Sequence, residues 1–208
     1  MTTRNYLKLN NHAEGIFNDK YQQTDAVIEG RKTMARQIMA GIDFPVNMVM
    51  GRALPDKDGK IYAVANGENI IVKLRYKVGE VVAVAQCYYN AFSSRCDIPV
   101  YGADRTPGWL NKMFVRADLM PHQIRITGIK CEQLQSISHD DCFREGIIES
   151  WYESTDTTTY GFVDEKKGTA VEFDTPRKAF AALIDKVSGR GTWDWNPWVV
   201  VYEFELVK

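Results

Sequence analysis

Apolar residues recur along this chain at three kinds of spacing, and each predicts a different element. After Thr175-Pro176, the positions Phe180, Leu183, Ile184 and Val187 follow i, i+3, i+4, i+7, the stripe of an amphipathic helix with a side-chain cap and a first-turn proline. The last residues, PWVVVYEFELVK, alternate instead: Trp198, Val200, Tyr202, Phe204 and Leu206 fall on one face, and the other becomes acidic at Glu203 and Glu205. This is the pattern of a closing strand. Continuous apolar runs, Ile70 to Leu74 and Val81 to Ala85, flank Lys77-Val78-Gly79-Glu80 and predict two buried strands around a turn. Ile124, Ile126, Ile129 and Cys131 mark a further strand whose alternation Gly128 shifts, as a bulge would.

Shorter signals fill the intervals. Thr24-Asp25 predicts the cap of a short helix through Ala26, Val27 and Ile28, with Gly30 ending it in a left-handed turn. Ser138, three residues before Asp141, predicts a capped helix that ends at Gly146. Three stretches read as loop insertions near 41–67, 90–111 and 152–171. The first carries Pro45, Pro55 and the turn Lys57-Asp58-Gly59-Lys60, and the last is expected to be a solvated hairpin or loop.

Composition narrows the class. The chain has 208 residues, 45% of them hydrophobic, which suits one α+β domain spanning 1–208 and is short for two large ones. Its 26 basic and 27 acidic residues nearly cancel, so attraction to nucleic acid would need a local basic patch. Cys87, Cys96, Cys131 and Cys142 form no CxxC pair and have no nearby run of histidines. No metal and no other cofactor is expected, and free thiols in a cytoplasmic protein are the simplest reading. No segment approaches the roughly 18 apolar residues of a membrane span.

Candidate chemistry gathers at a few places. Arg31, Lys32, Thr33 and Arg36 follow the Gly30 turn, where a lysine in a partly dry cleft would have its pKa lowered enough to act as a base. Such a cluster also suits plain phosphate contact. Glu145, at the end of the Ser138 helix, sits where the helix dipole disfavours a carboxylate. Met120, His122 and Arg125, around Pro121, suggest a cleft edge able to hydrogen-bond or stack on a base. Trp193, Trp195 and Trp198 would either plug the end of a barrel or offer a stacking platform, and burial is the commoner use.

Three segments, AVIEGRKTMARQI (26–38), NKMFVRADLMPHQIRITGIKCEQLQSISHDDCFREGI (111–147) and TPRKAFAALIDKVSGRGTWDWNPWVVVYEFELV (175–207), resemble the ASCH-domain proteins of bacterial and phage genomes. The resemblance implies a PUA-like (ASCH) small β-barrel flanked by short helices, with a cleft where the GRKT turn meets neighbouring strands. It also implies RNA or a modified nucleoside as partner, with ligand contacts from Arg31, Thr33, Arg36, Met120, His122 and Arg125. A small bacterial enzyme of this superfamily deacetylates N(4)-acetylcytidine with a Lys, a Thr three residues later and a distant Glu. By similarity these fall on Lys32, Ala35 and Glu145, so the hydroxyl position of the triad holds a methyl group. Binding without turnover is the first expectation, and an amidohydrolase with Lys32 as base and Glu145 as second catalytic group is the alternative. A third is a host-interaction protein of a mobile element, in which 90–111 and 152–171 contact another protein. The first two expectations need Lys32 and Glu145 to line one hollow.

Overall fold

The computed structural model describes residues 17–39, 61–65, 68–72, 74–92 and 107–207, with 61–65 and 68–72 described by their backbone alone. In chain order the elements are α1 (Gln23–Ile28), β1 (Met34–Ile38), β2 (Ile61–Ala65), β3 (Glu68–Val72), β4 (Val81–Ala83) and α2 (Tyr88–Phe92). There follow β5 (Gln123–Gln133), α3 (His139–Arg144), β6 (Ile148–Tyr152), β7 (Thr157–Asp164), β8 (Thr169–Phe173), α4 (Pro176–Ser188), α5 (Thr192–Trp195) and β9 (Trp198–Leu206). The architecture is α+β, with three antiparallel sheets ordered β1-β9-β5-β4, β2-β3 and β6-β7-β8. The four-stranded sheet curls in a way compatible with a small β-barrel.

The four-stranded sheet owes its stability to β9, which lies between β1 and β5. A central strand buries both faces. Val199 and Val201 enter an apolar layer with Met34, Leu134, Phe162, Phe180, Leu183 and Ile184, while Val200, Tyr202 and Phe204 enter the opposite layer with Val27, Ala35, Ile124 and Ile126. Each large side chain so buried contributes on the order of 1.5–3 kcal/mol. The Gly128 bulge is where the sequence placed it: the β5–β9 register shifts between Ile126 and Gly128. Because of that extra residue, Ile124, Ile126, Ile129 and Cys131 all reach the same layer despite their change of parity.

Helix signals were legible because they are local. Thr175 caps α4 by accepting the Lys178 amide, and Pro176 begins the helix. Ser138 caps α3 by accepting the Asp141 amide at 3.1 Å. Gly30, at φ 74°, ends α1, but the helix begins one residue before Thr24, whose hydroxyl bonds the Asp19 carboxylate instead of capping.

One pairing departs from expectation. The apolar runs around Gly79 do not pair with each other: β3 pairs with β2, and β4 pairs with β5. A turn signal specifies a reversal, whereas strand partners are chosen by the whole sheet. The 152–171 stretch is a hairpin of β7 and the start of β8, exposed over 152–157 and 165–170, with Phe162 and Asp164 buried beneath α4. Of the 41–67 stretch, β2 is described, while its turn at 57–60 lies outside the described residues, as does most of 90–111. No described helix is long and apolar enough to cross a membrane.

Candidate functional site

The Gly30 turn folds the chain back so that the Lys32 amide bonds the Ala26 carbonyl at 2.8 Å, and the Thr33 amide bonds the Arg144 carbonyl at 2.9 Å. The first bond closes the turn onto α1, and the second holds the start of β1 against the end of α3. There Gly146 has φ 98°, and a Cβ on it would lie in ordinary contact with the Ala26 methyl, at 3.6 Å, and Lys32 Cβ, at 3.7 Å. The positive φ favours glycine at this corner. The Lys32 stem runs beneath it, and its ammonium donates to the Glu145 carbonyl at 2.8 Å and to Glu145 Oε2 at 2.6 Å.

Lys32 and Glu145, 113 residues apart, thus meet in the interior, their side chains 1% and 5% exposed. Arg36 takes the other oxygen of the same carboxylate, Glu145 Oε1, at 2.8 Å. Its second amino group bonds Glu132 at 2.7 Å and Asp141 at 3.3 Å, and the guanidinium lies 5.7 Å from the centre of the Phe180 ring. Lys130 joins Glu132 and Asp141, and Arg144 joins Asp141 and Glu203. Four cations and four carboxylates therefore alternate through one connected network. The Asp141 carboxylate, expected to close a capping box, is spent on this network instead. Of the buried side-chain atoms in this network, Arg36 Nε has no hydrogen-bond partner among the described residues.

Burial sets the electrostatics. Desolvation pushes the Lys32 amine below its ordinary range, and the Glu145 charge and hydrogen bond only partly restore it. Burial also works against the Arg36 charge, but Glu145 and Glu132 outweigh it and hold the guanidinium above its usual value. Asp141 is pulled the opposite way: its own desolvation is overcome by Lys130, Arg36 and Arg144, leaving the carboxyl below the usual range. A lysine biased toward neutrality beside a carboxylate can accept or pass a proton.

The other residues singled out from sequence fall elsewhere. Arg31 is exposed, pairs with Glu29 at 2.7 Å, and borders a cavity lined by Gln22, Gln23, Gly146 and Phe162 that has room for about one water molecule. Thr33 is half-buried, its hydroxyl 3.4 Å from Arg144 Nε. Ala35 packs with Val27, Ile124 and Ile126, on the face of β1 opposite Arg36. Met120 is buried with its sulfur accepting the Gln86 amide, the His122 carbonyl accepts the Val84 amide, and Arg125 is exposed and paired with Glu205 at 2.9 Å. None of these three bonds to Lys32, Arg36 or Glu145, so the expected single cleft edge is not assembled. The reason is sheet order: Arg125 pairs across to β4, at the edge away from β1. The three tryptophans divide, with Trp193 edge-on to Phe180 and under the Arg177 guanidinium, Trp198 half-buried and Trp195 71% exposed.

Sequence reasoning missed Lys130, Glu132, Arg144 and Glu203. The available signal was the alternation of Lys130 and Glu132 with Ile129 and Cys131, which reads as a solvent face. Cys87, Cys131 and Cys142 are free thiols, and burial pushes that of Cys131 to about 12 and that of Cys142 to about 11. No group of His, Cys, Asp and Glu among the described residues could hold a metal ion. No protein-family model, curated protein or solved structure matches the chain.

Proposed function

We propose that this chain is a PUA-like module of the ASCH kind that binds a nucleobase or modified nucleoside, free or within RNA, at the corner between the GRKT turn and Glu145-Gly146. The observation that carries this reading is the Lys32–Glu145 pair, 2.6 Å apart and buried. A buried ion pair is a poor way to stabilise a fold, since apolar residues of similar size commonly do as well or better. A preformed polar floor is, by contrast, what base recognition needs. The adjoining cavity holds about one water molecule, so a base enters only as Gln22 and Arg31 swing aside. Arg31, tethered at the surface by Glu29, is free to do so and to meet a phosphate. Ala35 offers no nucleophilic hydroxyl, which favours binding over turnover.

Calorimetric titration of cytidine, N(4)-acetylcytidine and a short single-stranded RNA tests the reading. Binding of at least one is expected, weakening at least tenfold in folded Lys32→Met, with the RNA affinity falling as salt rises. No binding to any of the three at low and high salt removes it.

One observation favours a second reading, an amidohydrolase of acylated cytosines. Burial biases the Lys32 amine toward its neutral, basic form beside a carboxylate. Water would be the nucleophile, activated by Lys32, with Glu145 passing a proton. Acetate release from N(4)-acetylcytidine that disappears in Lys32→Met would establish this reading, and its absence would leave binding alone.

A further inference from the structure

Among the edges of the three- and four-stranded sheets, the outer edge of β6 stands apart. β6 pairs with β7 alone, with no register shift, and no described residue hydrogen-bonds to its other side. Natural sheets usually blunt such edges with lysine, proline, a bulge or very short length. β4 has only three residues, β1 carries the buried Arg36, and β8 follows Lys166 and Lys167. β6, Ile148-Glu149-Ser150-Trp151-Tyr152, has none of these devices, and it displays Trp151 at 60% and Tyr152 at 44% exposure.

Along the segment that carries this edge, charge has a single sign. From Ile147 to Glu165 the chain contains no Lys or Arg, while Glu149, Glu153 and Asp156 are all exposed. Glu149 lies two residues before Trp151, on the same face of the strand, and Glu172 accepts the Tyr152 hydroxyl across the sheet. We infer that the outer edge of β6 receives an extended basic peptide segment of a partner protein, added as a further strand. Its backbone would complete the ladder. Alternate Lys or Arg side chains would lie over the Trp151 ring and against Glu149, where the indole face and a carboxylate both attract a cation.

The same features argue against the other occupants. From Glu149 to Asp156 phosphates would meet carboxylates. A second copy pairing antiparallel in the register that stacks Trp151 on Trp151 would also set Glu149 opposite Glu153, a like-charge contact that disfavours self-association. Ile148, at the start of β6, lines the small cavity beside the Lys32 corner, but Glu149, Trp151 and Tyr152 do not, so the inference rests on residues outside that site.

The test uses the full chain and a fluorescein-labelled eight-residue peptide alternating Lys and Val, followed by anisotropy at low salt. Controls are the Glu–Val counterpart and a Lys peptide with Pro at the Val positions. The Lys–Val peptide is expected to saturate the protein, with both controls at least tenfold weaker. Trp151→Ala and Glu149→Lys, both exposed substitutions with unchanged circular dichroism, should each weaken binding at least fivefold. Amide exchange should slow at Ile148 to Tyr152 when the peptide binds. Equal binding of the Lys and Glu peptides, undiminished binding of the Pro peptide, protection elsewhere than β6, or a sedimenting dimer that Trp151→Ala dissolves would each overturn the inference, as would no binding at all.

Discussion

Removing the Glu145 charge separates the roles of the two partners in the buried pair. Among the described residues Lys32 pairs with the Glu145 carboxylate alone, whereas Glu145 also holds Arg36, which in turn keeps Glu132 and Asp141. Glu145→Gln therefore strands a cation in the interior, whereas Lys32→Met leaves the Glu145 charge paired with Arg36 and removes only the donor to its carbonyl and Oε2. Breaking a buried pair by removing one member costs about 3–5 kcal/mol. An independent ceiling comes from the escape route of deprotonating Lys32. Between pH 7 and the ordinary lysine value of 10.5, at about 1.36 kcal/mol per unit, that route costs about 5 kcal/mol. At pH 9 the same ceiling falls to about 2 kcal/mol.

The sign follows from proton counting: with the folded-state value lowered, the unfolded chain binds more protons, so stability rises as pH climbs from the folded value toward the unfolded one. Urea unfolding of wild type, Glu145→Gln and Lys32→Met at pH 7 and pH 9 measures this. Glu145→Gln should lose about 3–5 kcal/mol at pH 7 and regain a large part of it at pH 9, relative to wild type at the same pH. Lys32→Met should lose less at both. A loss under about 1 kcal/mol for Glu145→Gln, equal losses for the two variants, or a Glu145→Gln deficit that does not shrink at pH 9 would refute the reasoning.

Two further expectations concern the frame around the site. Gly161 on β7 lies so close to β8 that a Cβ would overlap the Val171 carbonyl oxygen, so Gly161→Ala should cost about 1–3 kcal/mol in denaturant unfolding, with faster amide exchange across the β7–β8 ladder. Phe180, buried against Trp193 and beneath Arg36, should cost about 3–5 kcal/mol as Phe180→Ala, with a red shift of the tryptophan emission as water reaches Trp193.

The candidate site was half legible in the sequence. The meeting of Lys32 with Glu145 could be anticipated because a glycine turn and a helix end, each read locally, carried the two residues that the ASCH resemblance singled out. The carboxylate on the far side of Arg36 could not. Glu132 looks like the solvent face of an alternating strand, and nothing local says that α3 and α4 will cover that face. Met120, His122 and Arg125 were grouped by closeness in sequence, but the strand that follows them runs along β4 and β9, away from the Gly30 turn.

The sequence by itself determined the elements whose causes lie within a few residues: the Ser138 and Thr175 caps, the Gly30 turn, the Gly128 bulge, and the apolar stripes of α4 and β9. Tertiary structure alone decided that β9 is central, that β3 turns to β2 rather than β4, that Trp193 is covered while Trp195 is not, and that eight charges close into one network. Caps and turns are satisfied by neighbours along the chain, so their residues announce them. Strand partners and buried charges are satisfied across long separations, where many pairings are compatible with the same local pattern and the assembled core selects one.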